Sequence, residues 1–161
     1  MSTGFKHDSG YIPPSMEKVA EMDMSDDVTI NRNYDVPFCA GCSKDGKTVY
    51  IDKDIDLKKA GMDRTKPTIV HELVEWCLMN TLGLPYKPAH YVATSAEEAA
   101  VRADGYSLQK YNALWDEDIR KCASKKKPKV PPDIYTEPYQ QDGDHAEKED
   151  FGLIGGGKGY G

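Results

Sequence analysis

The sequence predicts an α+β domain, a small antiparallel hairpin or sheet packed against about three helices. Three observations carry that expectation. A β-branched and aromatic run, Thr48-Val49-Tyr50-Ile51-Asp52, follows the turn signal Lys44-Asp45-Gly46-Lys47. Two stretches of helical periodicity flank a Gly83-Leu84-Pro85 break, and a third begins after Asp104-Gly105.

Taken in order, residues 1–33 hold no sustained period and form an N-terminal arm of uncertain order, in which Ser15 to Met24 has room for a short helix. The domain proper is expected over residues 34–139. Tyr34 to Ser43 is mixed apolar and supplies the first hairpin strand; Thr48 to Asp52 supplies the second. Asp52 to Lys66 is a polar connection with space for a short helical turn. Pro67 suits the first turn of the strongest helix, where its missing N–H costs nothing. Ile69, Leu73, Trp76, Cys77 and Met79 recur along it through Leu82, and Gly83 and Pro85 end it. A second helix is expected from about Lys87 to Ala103, rich in alanines that favour helix and permit close helix approach. Ser107 caps a third, Leu108 to about Ala123, with Leu108, Tyr111, Leu114, Trp115 and Ile119 on one side. Trp76, Trp115 and the third-helix tyrosines read as core. Residues 130–139 (VPPDIYTEPY) are expected to strap against the domain through Ile134, Tyr135 and Tyr139. The acidic, glycine-rich tail over residues 140–161 buries too little apolar surface to order and is expected to be disordered.

Composition narrows the functional classes. The chain has 161 residues, 39% hydrophobic and 30% charged, with a net charge of -6. No stretch approaches the roughly 20 apolar residues of a membrane span, and the N-terminus shows no secretory h-region. An acidic chain is a poor partner for nucleic-acid phosphates; the basic run Lys125 to Lys129 reads as a solvated linker. A cytoplasmic, reducing setting with free thiols is therefore expected. Cys39 and Cys42 form a CxxC, which can mean a zinc knuckle or a redox pair, yet the two further ligands of a knuckle do not follow at tight spacing.

The chemistry concentrates on the first two helices. His71-Glu72-Leu73-Val74-Glu75 is an HExxE sequence. Residues four apart share a helix face, so His71 and Glu75 can reach one ion together. Glu72 is rotated by about 100° and flanks such an ion, where a general base would stand. On the second helix His90, Thr94, Glu97 and Val101 form one stripe. His71, Glu75 and His90 make a candidate metal site, with Glu97 either a fourth ligand or a partner orienting an imidazole. Asp52 either helps hold a site histidine or caps the next turn. The plainer reading is that HExxE alone is a solvated helix face. Against it, both histidines of the domain fall on adjacent helices, each with a carboxylate at facing spacing; the other two, His7 and His145, lie in the terminal arms.

The segments YIDKDI and KPTIVHELVEWCLMNTLGLPYKPAHYVATSAEEAAVRADG, followed by a Tyr/Trp-rich helix, resemble a group of small phage and prophage proteins of unassigned function. The resemblance covers about residues 36 to 139. It implies a compact zincin-like domain with an HExxE…AH…E helix pair, cytoplasmic in a host cell or virion-associated. The likeness to HExxH metallopeptidases covers one helix, and Glu75 stands where those carry a second histidine. A carboxylate ligand lowers the net charge on zinc and makes its water less acidic.

The expected function is a zinc-dependent, peptidase-like hydrolase, with Glu72 as general base, His71, Glu75 and His90 as ligands, and one zinc or other divalent ion. The strand Thr48 to Asp52 would offer an edge to an extended peptide. The alternative is a non-catalytic, zinc-stapled assembly protein of a phage or prophage, partnered by a phage structural protein. A carboxylate-rich iron site has ligands enough but lacks the paired Glu-x-x-His motifs of such bundles.

Overall fold

In a computed structural model of the chain, residues 28–141 are described. Gly46 makes the hairpin possible. Its φ of +75° is the left-handed region, and a Cβ there would lie 2.8 Å from the Trp76 indole. On either side run β2 (Ala40–Cys42) and β3 (Thr48–Ile51), paired antiparallel in the register Gly41↔Tyr50. A short 3₁₀ turn, Pro37–Cys39, leads into β2. The other flank of β3 pairs in parallel with β1 (Thr29–Asn31), giving the strand order β1-β3-β2. Two expectations change here. The arm contributes a strand, so the domain begins before residue 34; three residues are too few to show a period. And β3 is central, so the edge expected of Thr48 to Asp52 is already paired on both sides. The polar connection holds a two-stranded ladder, β4 (Lys58–Lys59) with β5 (Met62–Asp63), in place of a helical turn.

The helices fall close to their expected bounds: α1 is Thr65–Asn80, α2 Tyr86–Ala103 and α3 Leu108–Ala123. Ser107 caps α3 by accepting from the Lys110 N–H at 3.3 Å. Ala89, Ala93, Ala96 and Ala100 are fully buried on one face of α2. The first three pack against Val70, Val74, Leu78 and Met79 of α1. Small side chains bring the two backbones close, which is what lets side chains of α1 and α2 meet head-on. The opposite side of α1, through Ile69 and Leu73, packs on Val49 and Ile51 of the sheet. Cys77 is exposed, contrary to an apolar role. Trp76 is half-buried, donating to the Lys44 carbonyl at 3.1 Å across the hairpin turn, so it covers the turn instead of filling a core.

The strap over residues 130–139 is present. Ile134 bridges to Ser43, Tyr135 N–H donates to the Cys42 carbonyl at 2.7 Å, and Ile134 and Tyr139 are buried. It ends in α4 (Glu137–Gln141). The tail from residue 142, the possible helix at Ser15 to Met24, His7 and His145 lie outside the described residues.

One basic residue departs from the solvated-linker reading. The Lys125 ammonium sits 2.7 Å from each of Asp35, Asp52 and Asp54. Lys125→Met would leave the fully buried Asp52 without its charged donor and Asp35 with only Lys53 at 3.5 Å, at a cost of about 1–3 kcal/mol. A urea midpoint equal to wild type would show that solvent replaces the ammonium. Burial alone would raise the Asp35 carboxyl, but Lys125 and the Lys129 N–H hold it below the ordinary range. Its contribution is therefore present above the unfolded value and lost as pH falls through the folded one.

Candidate metal centre

α1 presents His71, Glu72 and Glu75; α2 presents His90 and Glu97. Glu75 Oε2 lies 3.4 Å from His71 Nε2 and 2.8 Å from His90 Nδ1. His71 and Glu75 are buried, at 7% and 6% exposure, and the His90 side chain is more open at 26%. Tyr86, at the start of α2, stacks on the His90 ring at 5.0 Å, and the two imidazoles meet edge-on at 5.0 Å.

Glu97 stands on the other side of His71. Its Oε1 is 2.9 Å from His71 Nδ1, close but off the axis of the ring N–H, and its Oε2 accepts from the Tyr111 hydroxyl at 2.6 Å. In this geometry Glu97 touches the nitrogen of His71 that faces away from Glu75, the place of an orienting partner. Asp52 sits elsewhere. It accepts from the Val36 N–H, the Asp54 N–H and Lys125, so it caps the following turn, and no site histidine is among those partners.

Charge follows from this geometry. Burial would raise the Glu75 carboxyl, but hydrogen bonds from His71 and His90 overturn it and bring it down to about 2. Burial would likewise favour neutral His71, yet Glu75 and Glu97 raise it well above its ordinary value. Glu72 has no such donor. Loss of solvation pushes it up to about 8; His71 opposes that shift, and Glu75 and Glu97 add to it. It lines a surface depression with Glu75, Cys42, Trp76, Tyr135 and Tyr139.

The donor set fits a metal ion. One ligand atom from each of His71, Glu75 and His90 lies within 4.8 Å of the others. Tetrahedral zinc bonds of about 2.0–2.1 Å place donors roughly 3.4 Å apart. The His71–Glu75 separation meets that, and the shorter His90–Glu75 contact is a hydrogen bond an ion would replace. A second acidic group, Asp35, Asp52 and Asp54, already shares the Lys125 ammonium. Among the described residues the CxxC joins no group of ligand atoms placed to share an ion. Cys39 lies in the core near Cys122 and contacts the Asp118 carbonyl, while Cys42 lines the depression. All four thiols are free.

Several residues at or beside this site carried no recognisable signal. Tyr111 read as core and is core, yet its hydroxyl reaches Glu97. Tyr86, Cys42 and Tyr139 reach the site only through tertiary packing. The described residues thus define an α+β domain whose first two helices bring together a His/Glu group able to hold a metal ion. Protein-family models, curated proteins and solved structures were all compared with the chain, and none matches. Among the described residues no helix is long and apolar enough to cross a membrane.

Proposed function

We propose that this domain is a zinc-dependent hydrolase of the peptidase-like kind, in a phage or prophage setting, either in the host cytoplasm or with the virion. The observation that carries it is the placement of Glu72. It stands one residue from a buried His/Glu donor set, on the wall of a small surface depression, with a carboxyl that loss of solvation pushes up to about 8. Zinc in such a site supplies Lewis acidity and lowers the pKa of water.

The chain's own residues do the rest. His71, Glu75 and His90 offer two ring nitrogens and a carboxylate oxygen. Glu97 faces the Nδ1–H of His71 and keeps that proton on Nδ1, which leaves Nε2 to ligate. Glu72 accepts a proton at its carboxylate and returns it to the leaving amine. Trp76, Tyr135 and Tyr139 line the depression beside Glu72. Because β3 is flanked on both sides and β2 already engages Ile134 and Tyr135, an extended peptide would not add to β3 or at the β2 edge.

A second reading has its own support. The burial of His71 and Glu75 favours a closed staple between α1 and α2 in an assembly protein. Elemental analysis of the full chain, with His90→Ala and Glu72→Gln beside it, separates the two. The hydrolase reading expects about one zinc per chain, lost in His90→Ala and kept in Glu72→Gln. Peptide hydrolysis should fall by about 10²–10⁴ in Glu72→Gln. Zinc retained but hydrolysis undetectable in wild type would leave the staple; hydrolysis unchanged in Glu72→Gln would remove Glu72 as the base.

A further inference from the structure

Tyr111 is 1% exposed on α3, packed with Met62 and Val101. Burying a hydroxyl costs free energy that phenylalanine would avoid, so packing alone does not account for it. Its O–H donates to Glu97 Oε2 at 2.6 Å. The other oxygen of Glu97 faces His71 Nδ1 at 2.9 Å. One hydroxyl from α3 therefore meets one carboxylate from α2, which meets one imidazole from α1.

We propose that Tyr111 is a positioning residue of the metal centre, holding Glu97 so that His71 keeps its proton on Nδ1 and turns Nε2 toward the cation. The proposal rests on the metal-site reading above. Glu97 is partly solvent-exposed, its side chain at 18%, and on its own would have water to turn to. The buried phenol restricts that rotation because the packing around its ring fixes where its oxygen sits, 2.6 Å from Glu97 Oε2. The close but off-axis contact at His71 Nδ1 makes the alignment sensitive to small shifts of Glu97. Burial and the neighbouring Glu97 push the phenol's pKa up, which keeps it a donor. Outer partners of this kind change metal affinity by about 10–100-fold when removed.

The test uses the full chain with Tyr111→Phe, which keeps the ring, and Glu97→Gln. Zinc affinity is measured by competition with a chelator, and the metal-free protein is observed by nitrogen–proton NMR at the His71 ring. Tyr111→Phe should bind zinc about tenfold more weakly, and Glu97→Gln by about that much or more. The wild-type spectrum should show a slowly exchanging Nδ1–H on His71, shifted or lost to exchange in Tyr111→Phe. Ring packing alone predicts wild-type behaviour in Tyr111→Phe and loss only in Tyr111→Leu. Unchanged zinc affinity, an unmoved His71 signal, or no protected Nδ1–H in wild type overturns the proposal. If the wild-type protein takes up no zinc, the metal reading fails by itself, and the His71 signal still decides whether Tyr111 positions that ring.

Discussion

Asp118→Ala is expected to lower the thermal midpoint by roughly 10–20 °C, the loss of about 3–5 kcal/mol that follows when a buried charge is left uncompensated. Asp118 lies on α3 with its side chain 4% exposed and meets Arg64, which is fully buried, at 2.8 Å. Arg64 also donates to the Asp56 carbonyl at 2.7 Å and lies 4.5 Å over the Trp115 ring. Among the described residues its Nε and Nη1 have no hydrogen-bond partner and Asp118 is the carboxylate that faces it, so Asp118 is the principal compensation for the charge. The pair ties the start of α1 to α3. Replacing both members, Arg64→Met with Asp118→Leu, should recover most of the loss, because the cost arises from the orphaned charge more than from the missing bond. Thermal denaturation decides it: a fall under about 3 °C in Asp118→Ala would mean the guanidinium finds water.

Zinc affinity should fall about tenfold for each pH unit of acidification below the folded His71 pKa, as one proton competes with one metal bond. Glu75 and Glu97 hold that pKa well above the ordinary value, so the metal-free protein carries an imidazolium there. Ligation needs the Nε2 lone pair, and the proton must leave. Calorimetry in buffers of different ionisation enthalpy would count it; no proton released near neutral pH would mean that His71 is already neutral. The metal-free fold has the complementary dependence. The raised His71 contributes stability that is complete below its unfolded value of about 6.5 and is lost as pH rises through the folded one. Glu75, lowered to about 2, contributes above the unfolded carboxyl value and is lost as pH falls toward 2. The metal-free ion pairs therefore hold α1 to α2 best in the mildly acidic range, and added zinc should protect the fold most above it.

The α-helices were legible because each combines a local period with local punctuation. Pro67, Gly83, Pro85, Gly105 and Ser107 act within a turn or two of where they stand, so little of the fold needs to be known to place them. The same locality exposed the candidate donors: the four-residue spacing of His71 and Glu75, and the seven-residue spacing of His90 and Glu97, each define a helix face. The short strands were less legible. β1, β4 and β5 have two or three residues each, too few for alternation to register; β1 exists through pairing with the distant β3, and β4 and β5 pair only with each other. Lys125 looked like one of several solvated lysines, because nothing local distinguishes it from Lys126 and Lys127. Only the return of the chain beside Asp35, Asp52 and Asp54 sets it apart.

By itself, then, the sequence determined the fold class, the bounds of the helices and which side chains stand on the faces of α1 and α2, since backbone geometry alone converts spacing into direction. Tertiary structure decided which of those faces meet and what stands behind them. It drew Glu97 to the far nitrogen of His71, brought Tyr111 to Glu97, sent Asp52 to Lys125, and left Glu72 beside a small surface depression. These contacts join residues 14 to 73 positions apart. They depend on the close approach that the α2 alanines permit and on the way the helices and strap close around the sheet, and no local period encodes them.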